Sequence, residues 1–129
     1  MKSPAAARPA GRPVLLVEDD ADAREAMKAL FAGAGLRVIA SEEGQKELEL
    51  AGATRPALVV LDLSMHGMSG WEFLERRADE PALTGIPVVV VTGSRGMPPG
   101  AAAVLRKPVD PDRLLATVRG LLRRAAGAP

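Results

Sequence analysis

Five side chains in this sequence could act together on a phosphoryl group: the carboxylates of Glu18, Asp19 and Asp62, the hydroxyl of Thr92 and the ammonium of Lys107. Three carboxylates packed together repel and raise one another's pKa values unless a cation compensates. A hard divalent ion such as Mg²⁺ is the economical solution. It is held by one or two carboxylates, keeps several waters and leaves room for phosphate oxygens. Thr92 would add a hydroxyl donor and Lys107 a fixed positive charge. Acids, metal, hydroxyl and lysine together describe a phosphoryl-transfer site.

Such a site exists only if the chain brings residues 18 and 107 to one place, and the pattern of elements predicts that it does. Val14-Leu15-Leu16-Val17 runs into Glu18-Asp19-Asp20, and Leu58-Val59-Val60-Leu61 runs into Asp62. Pro87-Val88-Val89-Val90-Val91 runs into Thr92-Gly93-Ser94, and residues 102–105 lead to Lys107-Pro108. Apolar runs without polar alternation read as strands buried on both faces of a parallel sheet. Residues 37–40 give one more short strand. Between the strands the period becomes helical. Ala23, Ala26, Met27, Leu30 and Phe31 form one face of a first helix, capped by Asp20 or Asp22 and stopped by Gly33 and Gly35.

Residues 45–51 are a weaker helix anchored by Leu48, Leu50 and Ala51. A third begins near Trp71, with Trp71, Phe73, Leu74 and Ala78 expected on its buried side. Asp110 and Pro111 are an N-cap and first-turn pair for a terminal helix whose apolar face is Leu114, Leu115, Val118, Leu121 and Leu122. Alternating strands and helices imply right-handed crossovers and strand C-termini on one edge, where open α/β sheets bind ligands. Asp62 is expected to be exposed and reactive there, with Thr92 and Lys107 facing solvent. Only six residues, two of them Pro98 and Pro99, separate Gly93 from Gly100, too few for the ~7 of a two-turn helix.

The length of 129 residues fits one domain, expected over residues 13–126 with short tails at 1–12 and 127–129. A net charge of +1 predicts no general attraction to nucleic acid or membrane. Arg119, Arg123 and Arg124 read as a solvated face matched to a helix C-terminus rather than a nucleic-acid patch. The absence of cysteine excludes disulfides and thiol chemistry, and with a single histidine it excludes a Cys/His zinc site. No apolar run approaches the ~20 residues of a membrane span, and no signal-peptide core opens the chain, so a cytoplasmic protein is expected.

In order and placement, five pieces of the chain resemble the receiver domain of bacterial two-component response regulators. They are Leu16-Val17-Glu18-Asp19-Asp20, Leu61-Asp62, Met65-His66-Gly67-Met68-Ser69-Gly70, Val91-Thr92-Gly93 and Lys107-Pro108. The resemblance implies a flavodoxin-like, doubly wound, five-stranded parallel sheet of order 2-1-3-4-5, here with the fourth helix missing or reduced to a loop. It implies that Asp62 accepts a phosphoryl group from a sensor histidine kinase or phosphotransfer protein. Asp19 and Asp62 would ligate Mg²⁺, joined by the backbone carbonyl of Ser64, with Glu18 acting through a metal-bound water. Thr92 and Lys107 would contact the phosphoryl oxygens, and the family's Lys-Pro bond is usually cis.

Three departures accompany the match. His66 replaces a proline, Val104 stands where the family carries an aromatic switch residue, and the fourth helix has no room. The last two bear on output rather than on acceptor chemistry. The leading expectation is a stand-alone, phosphoryl-controlled binding module that signals by protein contact, not a turnover enzyme. The alternatives are a phosphorylation-independent pseudo-receiver and, far behind, a phosphatase of the haloacid-dehalogenase type. The phosphatase needs a second aspartate where this chain has Ser64.

Overall fold

Runs of valine, leucine and isoleucine form the strands, and the polar-apolar periodic segments between them form the helices. The computed structural model describes residues 11–41, 55–63, 70–81, 83–93 and 98–125. In chain order these give β1 (Val14–Val17), α1 (Ala21–Gly33), β2 (Val38–Ser41), β3 (Leu58–Asp62), α2 (Gly70–Arg77), β4 (Val88–Thr92), β5 (Ala103–Arg106) and α3 (Pro111–Ala125). The strands make one parallel sheet in the order β2-β1-β3-β4-β5. This is the flavodoxin-like arrangement expected from the sequence.

Side chains alternate between the two faces of the sheet, as the pleat requires. Leu15, Val17, Val59, Leu61, Val88 and Val90 pack with Phe73 and Leu74 of α2. Val14, Leu16, Leu58, Val60, Val89 and Val91 pack on the other face with Met27 and Phe31 of α1 and Leu114 and Val118 of α3. With both faces covered, alternation of polarity along a strand has no use, hence the unbroken apolar runs. Phe31 and Phe73 are fully buried, one in each layer. Truncating either to alanine costs ~3–5 kcal/mol by the usual loss of burial plus cavity.

Local signals set the helix ends. The Asp20 carboxylate accepts from the Ala23 N–H at 2.8 Å and caps α1. The helix closes with Leu36 N–H donating to Phe31 O and Gly35 N–H to Ala32 O, both at 3.0 Å, and with Gly35 at φ 86°. That left-handed turn favours glycine. In α3 the Asp112 N–H donates to Asp110 Oδ1 at 3.1 Å. Leu115, Leu121 and Leu122 are partly buried against the same core as Leu114 and Val118.

Two of the expected apolar faces are narrower than the sequence suggested. Ala26 is exposed on α1. On α2, which has only eight residues, Phe73 and Leu74 are buried while Trp71 is 44% exposed. Ala78 lies beyond the helix end and is exposed. A helix this short can turn only one stripe to the sheet. The expected helix at 45–51 and most of both tails fall outside the described residues. Between β4 and β5 the described residues 98–102 carry no helix. Ala101 N–H reaches Pro98 O at 3.4 Å in a turn, and Ala102 N–H joins Val88 O at 2.8 Å. Among the described residues no helix is long and apolar enough to cross a membrane.

Candidate functional site

The parallel sheet delivers its acids, hydroxyl and lysine to one edge. Glu18 continues the ladder past β1, its N–H donating to Ser41 O at 2.9 Å. Val17 is in register with Leu61, so Glu18 and Asp62 follow side by side on adjacent strands. Asp62 pairs with Val91, which sets Thr92 one residue further along β4. The Lys107 N–H then donates to Thr92 O at 2.8 Å, tying the lysine to the same edge. The Lys107-Pro108 peptide is cis.

Burial at this edge differs from the expectation. Asp62 is 4% exposed and Thr92 2%, so neither stands open to solvent as expected; Glu18 is 1% exposed. The Lys107 side chain, 35% exposed, keeps substantial access to water.

The Lys107 Nζ lies 3.5 Å from Glu18 Oε1 and 3.4 Å from Asp62 Oδ1. Ligand oxygens of Glu18, Asp19 and Asp62 all lie within 4.8 Å of one another. Burial pushes the Glu18 carboxyl up to about 7, with contact and charge from Asp62 adding to the rise; the Asp20 N–H and the Lys107 charge oppose it. For Lys107, burial disfavours the charged form, but the carboxylates of Glu18 and Asp62 outweigh it and hold the pKa above its ordinary value.

Glu18 Oε2 accepts from the Asp20 N–H at 3.2 Å, whereas Oε1 is buried and has the Lys107 ion pair but no hydrogen bond. A buried carboxylate oxygen without a hydrogen-bond donor is costly. The lysine is shared between two buried acids, with a third carboxylate beside them. An all-oxygen donor set containing an oxygen without a donor suits a hard divalent cation. The residues present therefore fit the metal expected at this position.

Two further residues shape the site. Arg24, in α1, was not singled out by the sequence; it donates from Nη1 to the carbonyls of Glu18 at 3.0 Å and Asp19 at 3.4 Å. Gly70, which entered only as part of a motif, opens α2 directly against the end of β3. A Cβ built there would lie 2.4 Å from Leu63 Cα and 2.6 Å from Asp62 O, a space that only glycine fits. The Gly70 N–H donates to Leu63 O at 3.0 Å. A glycine shortly after a strand-end aspartate was the available signal. Ser64, His66 and Ser94 lie outside the described residues. Val104 packs, partly buried, on the α2 face of the sheet.

Comparison with known proteins points the same way. The family model described as the response regulator receiver domain matches residues 14–119. Protein Rrf1 of Nitratidesulfovibrio vulgaris is 37% identical over 120 residues, covering 90% of this chain and 87% of its own length. Response regulator Rre1 of Synechocystis sp. is 34% identical over 119 residues, covering 86% of this chain but only 52% of the relative. The chemotaxis protein CheY4 of Vibrio cholerae superposes with a TM-score of 0.79 at 26% identity, covering 87% of this chain and 99% of that one.

Proposed function

This chain belongs to the response regulator receiver domain family, a signalling module of two-component systems, and on that premise we propose that Asp62 is its phosphoryl acceptor, loaded by a sensor histidine kinase or phosphotransfer protein. The observation that carries the reading is the lysine ammonium shared by the buried carboxylates of Glu18 and Asp62, with one Glu18 oxygen left without a hydrogen bond. Asp19 and Asp62, with the Ser64 carbonyl, would hold Mg²⁺, and Glu18 would act through a water on the ion. That ion, when bound, neutralises the acidic edge so that a dianionic phosphoryl group can approach.

Each residue has a separate task. A carboxylate oxygen of Asp62 attacks phosphorus as the bond to the donor's imidazole nitrogen breaks. The Lys107 ammonium, already 3.4 Å from Asp62 Oδ1, moves its attraction to the phosphoryl oxygens. Thr92, at the tip of the neighbouring strand, offers its hydroxyl to the same oxygens. The aspartyl phosphate is a stored state, returned to rest by slow attack of water, so the domain is a switch rather than a turnover enzyme. Residues 13–126 form the functional unit, operating where a cytoplasmic kinase domain can reach it. With valine at position 104, output passes through the short β4–β5 connection rather than through a swinging aromatic ring.

Intact mass measurement after incubation with acetyl phosphate and Mg²⁺ tests the reading. A single phosphoryl adduct is expected in the wild type, and none in Asp62→Asn or in excess chelator. An unchanged adduct in Asp62→Asn would overturn the assignment of the acceptor. A wild type that takes no label from acetyl phosphate or from a phosphorylated histidine phosphotransfer domain would leave the phosphorylation-independent binding module.

A further inference from the structure

Two of the site's acids sit on backbone just beyond β1, and their carbonyls need donors there. Arg24 supplies them, with Nη1 at 3.0 Å from Glu18 O and 3.4 Å from Asp19 O. The helix makes this reach possible. Side chains on an α-helix tilt toward its N-terminus, so a long residue one turn into α1 extends back over the first turn to the strand end.

Other groups of the loop are held as well. The Asp20 N–H donates to Glu18 Oε2 at 3.2 Å, the Ala23 N–H to Asp20 Oδ2 at 2.8 Å and the Arg24 N–H to Asp20 O at 2.9 Å. Arg24 thus closes a short loop in which peptide orientation decides where the Glu18 and Asp19 carboxylates point.

We infer that Arg24 is a positioning residue of the divalent-cation site: its guanidinium fixes the Glu18-Asp19 backbone so that both carboxylates converge with Asp62. The inference rests on the phosphoryl-acceptor reading of this edge. Coulomb's law makes it separable from a charge effect. A cation beside a cation site repels the ion, so replacing Arg24 by a neutral side chain would on charge alone tighten Mg²⁺ binding. Positioning has the opposite sign, because two carbonyls left to water free the peptides that aim the acids.

The test is titration of the full chain with Mg²⁺ alone, followed through the amide shifts of Asp19 and Leu63, at one ionic strength. Arg24→Met is expected to raise the Mg²⁺ Kd about tenfold, the scale of one or two lost hydrogen bonds. Arg24→Lys keeps the charge but has one compact donor group, and it should fall between the two. Thermal unfolding in excess chelator separates this from loss of fold.

Equal or tighter binding by a folded Arg24→Met overturns the inference and leaves the cation site standing. If Arg24→Met does not fold, Arg24→Lys decides: weaker binding supports the positioning role, and wild-type affinity refutes it. A wild type that binds no Mg²⁺ removes the acceptor reading itself and the inference with it.

Discussion

The Lys107 ammonium lies 3.4 Å from Asp62 Oδ1 and 3.5 Å from Glu18 Oε1, so a single cation spans the two most deeply buried acids of the site. Removing it leaves Glu18 and Asp62 facing each other without that charge between them. Lys107→Ala should destabilise the metal-free protein by ~1–2 kcal/mol at pH 8, less than the ~3–5 of a fully buried pair because the lysine is 35% exposed. At pH 5 the loss should shrink, since Glu18, with its pKa at about 7, is then protonated. Urea unfolding at the two pH values checks this, and an equal loss at both would refute the pairing argument.

Glu18 predicts a pH dependence of unusual sign for a carboxylate. Its pKa rises from 4.5 to about 7 on folding, so the folded state holds a proton that the unfolded state releases. The associated stability is fully present below about 4.5 and is lost as pH rises through about 7. Metal-free protein should therefore lose stability between about pH 5 and 7.5. Glu18→Gln should flatten that slope, and so should saturating Mg²⁺, which favours the ionised carboxylate. A slope that survives Glu18→Gln assigns the effect elsewhere.

Gly70→Ala should disturb the proposed acceptor, Asp62, directly. The new methyl would collide with Leu63 Cα and Asp62 O, both backbone atoms that cannot swing aside. Overpacking of this kind costs ~1–3 kcal/mol. Because the displaced backbone carries Asp62, labelling by acetyl phosphate should fall by more than the stability loss accounts for. A control alanine at Gly120, where a Cβ meets nothing within 4 Å, should do neither.

Thr92 separates acceptance from response. Thr92→Val keeps the shape of a buried residue and removes its hydroxyl. Labelling of Asp62 should persist, while the shift changes that beryllofluoride induces at Gly93 and Arg106 should shrink to roughly half or less, as expected when one charge-assisted hydrogen bond is lost. Thr92→Ser should restore them. Full-sized changes in the valine variant would mean that the hydroxyl plays no part in the response.

The strands were legible because a doubly covered parallel sheet needs continuous apolar runs, whereas their order came from the resemblance to the receiver family and not from the runs themselves. The edge that collects Glu18, Asp62, Thr92 and Lys107 followed from parallel topology alone. Burial at that edge was not legible. A strand-tip position says where a residue stands in the sheet but not how deeply it is buried, and so Asp62 and Thr92 were expected in solvent. Trp71 failed for a different reason: an apolar residue near the helix start was counted with the buried side, yet it stands about 200° around α2 from the buried Phe73 and faces away from the sheet. Arg24 and Gly70 act through contacts with backbone atoms, and hydrophobic patterning carries no record of those.

Val14 pairs with Val38 on one side and with Leu58 on the other, and the last strand joins the sheet through pairings such as Val89 with Ala103. Partners so distant along the chain must be gathered before any of them is held, which makes assembly of this sheet non-local. The proposed acceptor edge draws on β1, β3 and β4, and the Lys107 ammonium comes from just beyond β5. A nascent chain that has emerged only as far as β4 carries Asp62 but not Lys107. On the proposed reading, the edge that would take up a phosphoryl group is complete only once the chain through residue 107 has joined the sheet.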